Sequence, residues 1–232
     1  MEPTWLPRSE RISTPSRFLW RRQPYLFPYR SLLEGVIALS FAARRLAVRG
    51  SMTDKRALRS EMRARRMALA KDGPDAAARA ADHTHRLPQG TCVAVYHPIG
   101  SELGTAPLVE ALVGRGVGLC LPVTLAPDAP MVFRRWTPGD PLEADLAGVP
   151  APFPLAGEVV PDLILTPLLA FDDAGYRLGQ GGGHYDRTFA GLPHAIRIGL
   201  AYAGQQVAAL PVEPHDIPLH GVLTETGYTA FA

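Results

Sequence analysis

A glycine-rich segment, residues 170–187, contains the residue types best suited to hold a charged ligand. Four glycines fall within five positions and charged side chains flank them: Gly179, Gly181, Gly182, Gly183, Arg177, Asp186 and Arg187. Glycine lets a ligand approach the backbone closely, and consecutive N–H groups that point into one concavity bind anions. The pattern from His184 onward predicts a helix, whose N-terminus adds partial positive charge. The segment therefore predicts a phosphate-binding loop.

The spacing of these glycines excludes two commoner phosphate-binding motifs. The dinucleotide fingerprint G-x-G-x-x-G would begin at Gly179 and Gly181, but it needs glycine where His184 stands. The nucleotide P-loop needs Gly-Lys-Ser/Thr, and the chain contains no such tripeptide. A tight glycine turn between a strand and a helix remains the alternative. The flanking charges favour a binding loop for a charged ligand.

Charge is distributed unevenly along the 232 residues, whose net charge is +2. Residues 1–51 hold nine arginines and three acidic residues, whereas residues 52–232 hold 15 basic and 19 acidic residues. Because residues 52–232 are mildly acidic, the sequence predicts no nucleic-acid partner. The two cysteines, Cys92 and Cys120, lie in apolar runs and make no disulfide scaffold. This cysteine usage fits a reducing compartment, so we expect a cytoplasmic protein.

Residues 1–51 are predicted to be an extension outside the folded domain, either disordered or upstream of the true start. An arginine-rich targeting segment and a membrane-surface arm are the other interpretations. The apolar stretch 32–43 is shorter than the roughly 20 residues that span a bilayer, so no membrane partner is expected. Met52 is followed by Thr53 and Asp54, which suit a helix start. We therefore predict a single domain over residues 52–232.

Hydrophobic periodicity over residues 52–232 predicts helices that alternate with short buried strands. Helices are expected from Thr53 or Asp54 to about 70, and at 74–87, 105–114 and 184–192. Strands are expected at 91–96, 117–123, 131–136, 162–167, 195–201 and 222–226. The segment 137–161 contains six prolines and is predicted to be a long loop. This alternation predicts an α/β fold with a parallel or mixed sheet and helices on both faces.

Three loops that follow predicted strands carry polar side chains. They are the glycine segment, residues 96–102 and residues 211–216. In sheets of this kind, ligands bind beyond the carboxyl ends of the strands. We therefore expect the three loops to share one edge of the sheet.

Two kinds of charged residue in these elements could serve a phosphate ligand. Lys55, Arg59 and Arg63 recur every fourth residue on the first predicted helix, although a solvated charged face is the more usual meaning of such a stripe. Asp186 and Asp216 are the carboxylates best placed for a metal that accompanies phosphate. The alternative is a helix N-terminal charge for Asp186 and a turn residue for Asp216.

A second group of residues could bind a polar heterocycle. Glu102 lies just beyond a predicted buried strand and could accept hydrogen bonds from such a ring, or it could simply begin the next helix. His97 could line a pocket or occupy the loop.

Taken in order, these segments resemble the family of 5-formyltetrahydrofolate cyclo-ligases, also called methenyltetrahydrofolate synthetases. The resemblance runs from about Met52 to the C-terminus. It rests on residues 55–59 (KRALR), on Tyr96 with Glu102, on residues 170–172 (AFD) and 175–187 of the glycine segment, and on Asp216. The glycine segment is its long and specific part.

The resemblance implies a three-layer α/β/α fold with a mostly parallel sheet, and an enzyme expected to act as a monomer. Its reaction converts the small-molecule substrate 5-formyltetrahydrofolate to 5,10-methenyltetrahydrofolate with release of ADP and phosphate, and it uses ATP and Mg²⁺. By position, ATP would be bound by Lys55, Arg56, Ala57, Leu58, Arg59, Arg177, Leu178, Gly179, Gln180, Gly181, Gly182, Gly183, His184 and Tyr185. The folate would be bound by His97, Glu102, Gly181, Gly182, Gly183 and His184. Lys55, Arg59 and Tyr185 would act in catalysis, and Asp186 and Asp216 would hold the metal.

The chain departs from the family pattern at two places. Residues 148–152 read GVPAP where the family often has Gly-Ile-x-Glu-Pro, so Ala151 stands at the place of the glutamate. His184 replaces a frequent tyrosine. A catalytically silent protein that binds a nucleotide or a folate on the same fold is the alternative function, since a fold does not determine a function.

Overall fold

The computed structural model describes residues 55–231, and three of the four α-helices there match the predicted bounds closely. The predicted extension and the proposed cap residues Thr53 and Asp54 lie outside this range. The α-helices of the described range are α1 (55–72), α2 (Ala76–Asp82), α3 (Ala106–Gly114) and α4 (His184–Gly191). Short 3₁₀ turns lie at Thr84–Arg86, Pro154–Ala156 and Ala203–Gln205. Among these residues, no helix combines the length and apolar character needed to cross a membrane.

The second helix is shorter than predicted. It ends at Asp82, and a 3₁₀ turn takes the place of its last part. The hydroxyl of Thr84 donates to the carbonyl of Ala81 at 2.8 Å. Such side-chain bonds compete with the regular helical ladder, which is why threonine commonly lies at helix ends.

Eleven strands form in the described residues. They are β1 (Cys92–Ala94), β2 (Gly118–Val123), β3 (Val132–Arg135), β4 (Leu142–Ala144), β5 (Pro150–Pro152), β6 (Leu163–Pro167), β7 (Ala170–Phe171), β8 (Arg177–Leu178), β9 (Ile196–Leu200), β10 (Gly221–Thr224) and β11 (Gly227–Ala230). Seven of them make the main sheet in the order β11-β10-β9-β6-β1-β2-β3. The five strands from β10 to β2 are parallel, and β11 and β3 close the two edges in antiparallel pairing. The prediction of a mostly parallel sheet is confirmed.

Alternate residues of the sheet point into two separate hydrophobic layers. Val93 and Val95 pack with α2 and α3 on one face, whereas Ala94 packs with Phe189 of α4 on the other. Because both faces are covered, the central strands are apolar throughout rather than alternating with polar residues. The result is the three-layer α/β/α arrangement expected from the sequence.

Helix α1 connects the core to the carboxyl edge of the sheet. Met62 is fully buried at its centre, beside Leu169 and Leu178 from the chain after β6. Leu69 packs against the layer that holds α2 and α3. The apolar stripe predicted at helical spacing therefore lays α1 across the ends of the strands, and Lys55, Arg59 and Arg66 turn toward that edge.

The prediction of a long loop over residues 137–161 was wrong in part. The segment contains the β4–β5 hairpin, although β5 has two prolines. Proline is tolerated here because the two strands form a small sheet in which one side of each needs no partner. Asp145 closes the hairpin: its carboxylate accepts the N–H groups of Thr124, Ala147 and Val149 at 2.8 to 2.9 Å.

Two further pairings are absent from the sequence prediction. Strands β7 and β8 form a hairpin, and β11 returns antiparallel to β10. The turn between β7 and β8 is held by Asp172, which accepts the N–H groups of Ala174 and Tyr176. Strands β7 and β8 have two residues each, and half of β11 is exposed, so none of the three makes the apolar run that indicates a strand.

Asp162 ties the amino ends of β1 and β6 together, and we expect its loss to destabilise the fold. Its carboxylate accepts the N–H and hydroxyl of Thr91, both at 2.8 Å, and the N–H of Cys92. Desolvation opposes the charge, but these hydrogen bonds outweigh it and hold the pKa below its ordinary value of 3.8. Replacing Asp162 with alanine should lower the free energy of unfolding at pH 7 by about 1 to 3 kcal/mol.

The sign of the pH dependence follows from the lowered pKa. The contribution of Asp162 is present above its unfolded pKa and is lost as pH falls through the lower folded value. The gap between wild type and Asp162→Ala in urea unfolding should therefore be full at pH 7 and shrink below about pH 4. Asp128→Ala, at an exposed aspartate, should behave like wild type. An equal gap at pH 7 and pH 2 would contradict this account.

Candidate active site

A cavity of about 540 Å³ opens at the carboxyl edge of the sheet, where β1, β2 and β6 end. All three loops singled out in the sequence contribute to its wall, together with α1 and the start of α4. Its volume lies within the range typical of small-molecule sites. The expectation that these loops share one edge is confirmed.

The glycine segment forms one wall of this cavity, and its glycines are needed for two different reasons. Gly181 and Gly183 have φ angles of +110° and +66°, a region that other residues rarely adopt. A Cβ atom on Gly183 would also lie 2.9 Å from the guanidinium of Arg187. That guanidinium donates to the carbonyls of Gly182 and Pro127 at 2.7 and 2.9 Å. Arg187 therefore ties the segment to the β2–β3 loop.

Replacing Gly183 with alanine should slow turnover by about tenfold or more, because positive φ and a displaced Arg187 distort the loop together. Gly191→Ala is the matched control, since Gly191 ends α4 at negative φ with open space around its Cα. Steady-state assays of both variants, with circular dichroism to verify folding, measure the effect. Equal rates in Gly183→Ala and wild type would mean that the loop conformation is not required.

The basic stripe of α1 faces the cavity rather than solvent at its first two positions. The ammonium of Lys55 lies 3.0 Å from Glu213 and 2.7 Å from Asp216, and the side chain is only 8% exposed. The Nε of Arg59 donates to the carbonyl of Gly179 at 3.1 Å. Arg63 is exposed and bonds to Gln180. The solvated-face interpretation is therefore wrong for Lys55.

Arg177 and Asp186 form an ion pair at the base of the glycine segment. Their side chains meet at 2.9 Å, and that of Arg177 is 5% exposed. The guanidinium also donates to the carbonyl of Ile217 at 2.7 Å and lies 4.6 Å from the ring centre of Phe189. Burial lowers the pKa of Arg177, and the Asp186 charge opposes that shift. The same Asp186 oxygen, Oδ1, accepts the N–H of Ile217 at 3.1 Å, so the pair also fixes residues 211–217 between β9 and β10, here called the late loop.

A second part of the cavity wall, on the loop after β1, holds a buried carboxyl group. Glu102 is 7% exposed, and its Oε2 accepts the N–H of Ile99 at 3.0 Å. Burial raises its pKa above 4.5, although Ile99 and the nearby Arg66 act in the other direction. Tyr96, also buried, donates its hydroxyl to the carbonyl of Leu103 at 2.8 Å and so shapes the loop that carries Glu102.

A possible metal site lies in the late loop. Glu213, His215 and Asp216 each place one ligand atom within 4.8 Å of the others. Two carboxylates suit a hard cation such as magnesium, which prefers oxygen ligands. Lys55 is bonded to both carboxylates here, so a cation would have to share or replace that contact.

Most of the residues predicted for the site line the cavity, and some do not. The lining includes these predicted residues: Lys55, Arg59, His97, Glu102, Arg177, Leu178, Gly179, Gln180, Gly181, Gly182, Gly183, His184, Tyr185, Asp186 and Asp216. Arg56 and Ala57 are exposed on the outer side of α1, and Leu58 packs against the core. Ala151 is buried in β5, while Ala147 and Val149 from the same hairpin line the cavity.

Sequence reasoning missed several residues of the cavity, and two of them are charged side chains in contact with predicted site residues. Glu213 stands beside Asp216 in a loop whose aspartate alone was singled out. Arg66 lies on the cavity side of α1, eleven residues after Lys55, which is close to three helical turns. Extending the helical period beyond Arg63 would have found Arg66.

The sequence model of the 5-formyltetrahydrofolate cyclo-ligase family matches residues 51–225, about three quarters of the chain. The chain belongs to this family. The resemblance first seen in the glycine segment is thereby confirmed over most of the residues that form the fold.

Family relatives from two bacteria match the chain over a similar length. The 5-formyltetrahydrofolate cyclo-ligase of Haemophilus influenzae is 37% identical over 143 residues, which are 58% of this chain and 76% of the relative. The enzyme of the same name from Escherichia coli K12 is 39% identical over 139 residues, or 57% of this chain and 76% of the relative.

Solved structures of the family have the same fold. The 5,10-methenyltetrahydrofolate synthetase of Aquifex aeolicus is similar with a TM-score of 0.64 and 28% identity, covering 76% of this chain and 92% of the other. The synthetase of Mycoplasma pneumoniae has a TM-score of 0.57 and 25% identity, covering 74% of this chain and 99% of the other. These similarities confirm the α/β fold class.

Proposed function

We propose that this cyclo-ligase family member converts 5-formyltetrahydrofolate to 5,10-methenyltetrahydrofolate, with ATP consumed and ADP and phosphate released. One observation carries the proposal: a single cavity has a cationic, glycine-lined wall and a second wall that holds a buried carboxyl group. The first wall suits a triphosphate and the second suits a heterocycle with hydrogen-bond donors.

ATP binds along the first wall in this proposal. Lys55 and Arg59 supply positive charge from α1, and the backbone of residues 179–183 supplies N–H groups at the start of α4. Tyr185 also lines the cavity. Positioning and charge neutralisation are the main requirements of phosphoryl transfer, so these groups suffice without a protein nucleophile.

The folate binds along the second wall. Glu102 accepts hydrogen bonds from the pterin, and His97 and His184 border the ring from the β1 loop and from α4. Because Glu102 is buried, a hydrogen bond to its charge contributes more than it would in water.

Magnesium is held by the carboxylates of the late loop and α4. Asp216 and Asp186 both line the cavity, and Glu213 adds a third oxygen donor. When bound, the ion neutralises charge on the phosphates. The ion pair between Asp186 and Arg177 keeps that carboxylate at the base of the glycine segment.

The chemistry needs an activated formyl group. The formyl oxygen attacks the γ-phosphorus of ATP, the bond from that phosphorus to the bridging oxygen breaks, and ADP departs. The product is an imidoyl phosphate. N10 of the folate attacks its formyl carbon, which closes the five-membered ring, and the N10 proton is released to solvent. The carbon–oxygen bond then breaks and phosphate departs, which leaves the methenyl bridge between N5 and N10. Lys55, Arg59 and the loop N–H groups stabilise the charge that develops on the transferred phosphoryl group.

The decisive experiment mixes purified protein with ATP, magnesium and 5-formyltetrahydrofolate and follows the near-ultraviolet absorbance of the methenyl product. Product should form only when all three are present, and a chelator should stop the reaction. Absence of any ATP-dependent product would defeat the proposal. Binding of either ligand without turnover would instead support the catalytically silent alternative.

The single domain over residues 52–232, the monomeric state and the cytoplasmic location remain predictions from sequence. Light scattering of the purified protein measures its molecular mass in solution and so tests the predicted monomeric state.

A further inference from the structure

Arg66 is a buried cation of the cavity to which the proposed mechanism assigns no task. Its side chain is 6% exposed, and it projects from the inner side of α1 into the cavity wall beside Glu102. Arginine is always charged, so burying it costs free energy unless several acceptors compensate. The contacts of Arg66 therefore indicate what it stabilises.

Three acceptors from two separate chain segments meet the Arg66 guanidinium. Its Nε donates to the hydroxyl of Ser101 at 3.1 Å, and its Nη1 donates to the carbonyl of Leu168 at 3.2 Å. The same Nη1 lies 3.5 Å from Oε1 of Glu102. The side chain thus joins α1 both to the loop after β1 and to the segment after β6.

Glu102 is held from both sides by this arrangement. Its Oε2 accepts the N–H of Ile99, which belongs to its own loop, whereas its Oε1 faces Arg66. Without Arg66, the carboxylate would keep only the contact within a seven-residue loop and would lack a counter-charge. A buried carboxylate in that situation turns or takes up a proton, and either change spoils it as an acceptor.

We propose that Arg66 is a positioning residue that fixes the Glu102 carboxylate toward the folate and so determines folate affinity, while ATP binding is independent of it. This inference rests on the proposed function, because it takes Glu102 as the group that receives the pterin. It assigns α1 two tasks: Lys55 and Arg59 serve the phosphate wall, and Arg66, about two to three turns further along, serves the wall that holds Glu102.

The charge of Arg66 gives the proposal a second observable. The charged or titratable groups that face Glu102 are Arg66 from α1, Tyr96 from the end of β1 and Tyr185 from α4. Burial raises the pKa of both tyrosines, so they stay neutral through the acid range. Burial also raises the pKa of Glu102, and Arg66 counteracts that shift. Removing Arg66 should therefore raise the pKa of Glu102 further, and folate binding should begin to weaken at a higher pH.

The test compares Arg66→Met, Arg66→Lys and the control Arg65→Met, at an exposed neighbouring arginine. Calorimetry measures binding of 5-formyltetrahydrofolate without ATP from pH 5 to pH 8, and steady-state assays measure KM for ATP. Wild type is measured first. Failure of wild type to bind the folate or to turn over would defeat the proposed function, whereas normal wild-type behaviour leaves the role of Arg66 to be decided by the variants.

Arg66→Met should weaken folate binding at neutral pH by at least about tenfold and leave KM for ATP within about twofold. The pH below which folate binding weakens should also be higher in this variant than in wild type. Arg66→Lys keeps the charge but lacks the planar guanidinium. Its folate binding should therefore weaken at the same acid pH as in wild type, yet remain at least about threefold weaker than in wild type. If Arg66→Met does not fold, the comparison of Arg66→Lys with wild type is sufficient to test the proposal. Wild-type folate affinity in Arg66→Lys, or equal losses for folate and ATP, would overturn the proposal.

Discussion

Replacing Lys55 with alanine is expected to slow turnover by about a hundredfold, equivalent to about 2.7 kcal/mol of transition-state stabilisation. The buried ammonium is bonded to Glu213 and Asp216 and lies beside the glycine segment. Its loss removes a cation from the phosphate wall. It also leaves two neighbouring carboxylates without their counter-charge, and their repulsion opposes the approach of a triphosphate.

Kinetic constants separate this loss from general damage. KM for ATP should rise while KM for the folate stays close to wild type, because Lys55 lies on the phosphate wall. Lys71→Ala is the matched control, since Lys71 is an exposed lysine of the same helix. Lys55→Arg keeps the charge and should recover part of the rate. A wild-type rate in Lys55→Ala would remove this residue from the phosphate site.

Asp186→Ala is expected to have the second largest effect, with turnover at least about tenfold lower and a reduced melting temperature. The substitution leaves the Arg177 guanidinium buried without its carboxylate, and breaking a buried pair in this way costs about 3 to 5 kcal/mol. It also removes the acceptor for the N–H of Ile217, so the late loop that carries Asp216 loses a tether.

Magnesium titration distinguishes the two tasks of Asp186. If Asp186 holds the metal as proposed, the variant should need at least about tenfold more magnesium for half-maximal activity. If it acts only through Arg177, the melting temperature should fall while the magnesium requirement stays at the wild-type value. Asp82→Ala, at an exposed aspartate that ends α2, should change neither quantity.

Much of the fold could be predicted from sequence because most of its helices and strands are indicated by the hydrophobic pattern of their own residues. The buried strands β1, β2, β6 and β9 are short apolar runs, and α1, α3 and α4 have clear helical spacing. The β4–β5 hairpin escaped prediction because its pairing depends on Asp145, a single side chain that organises three N–H groups. The spacing of hydrophobic residues does not distinguish such an aspartate from one in an open loop.

The candidate site divides in the same way. The glycine segment could be recognised from sequence because tight turns, and the close approach of a ligand to the backbone, require glycine at fixed positions. This requirement does not depend on the rest of the chain. Lys55 looked like part of a solvated stripe because its partners, Glu213 and Asp216, stand 158 and 161 residues further along the chain. Arg66 was overlooked because its acceptors belong to two loops that meet only at the sheet edge.

The sequence by itself determined the family, the alternation of helices and strands, and the loop in which a phosphate would lie. The tertiary structure alone decided which charges meet: Lys55 with the late loop, Arg177 with Asp186, and Arg66 with Glu102. The local sequence pattern predicts the secondary structure of each segment, because backbone conformation depends mainly on neighbouring residues in the chain. Ion pairs between distant segments depend on how the parallel sheet brings the ends of its strands to one edge, and that arrangement exists only in the folded chain.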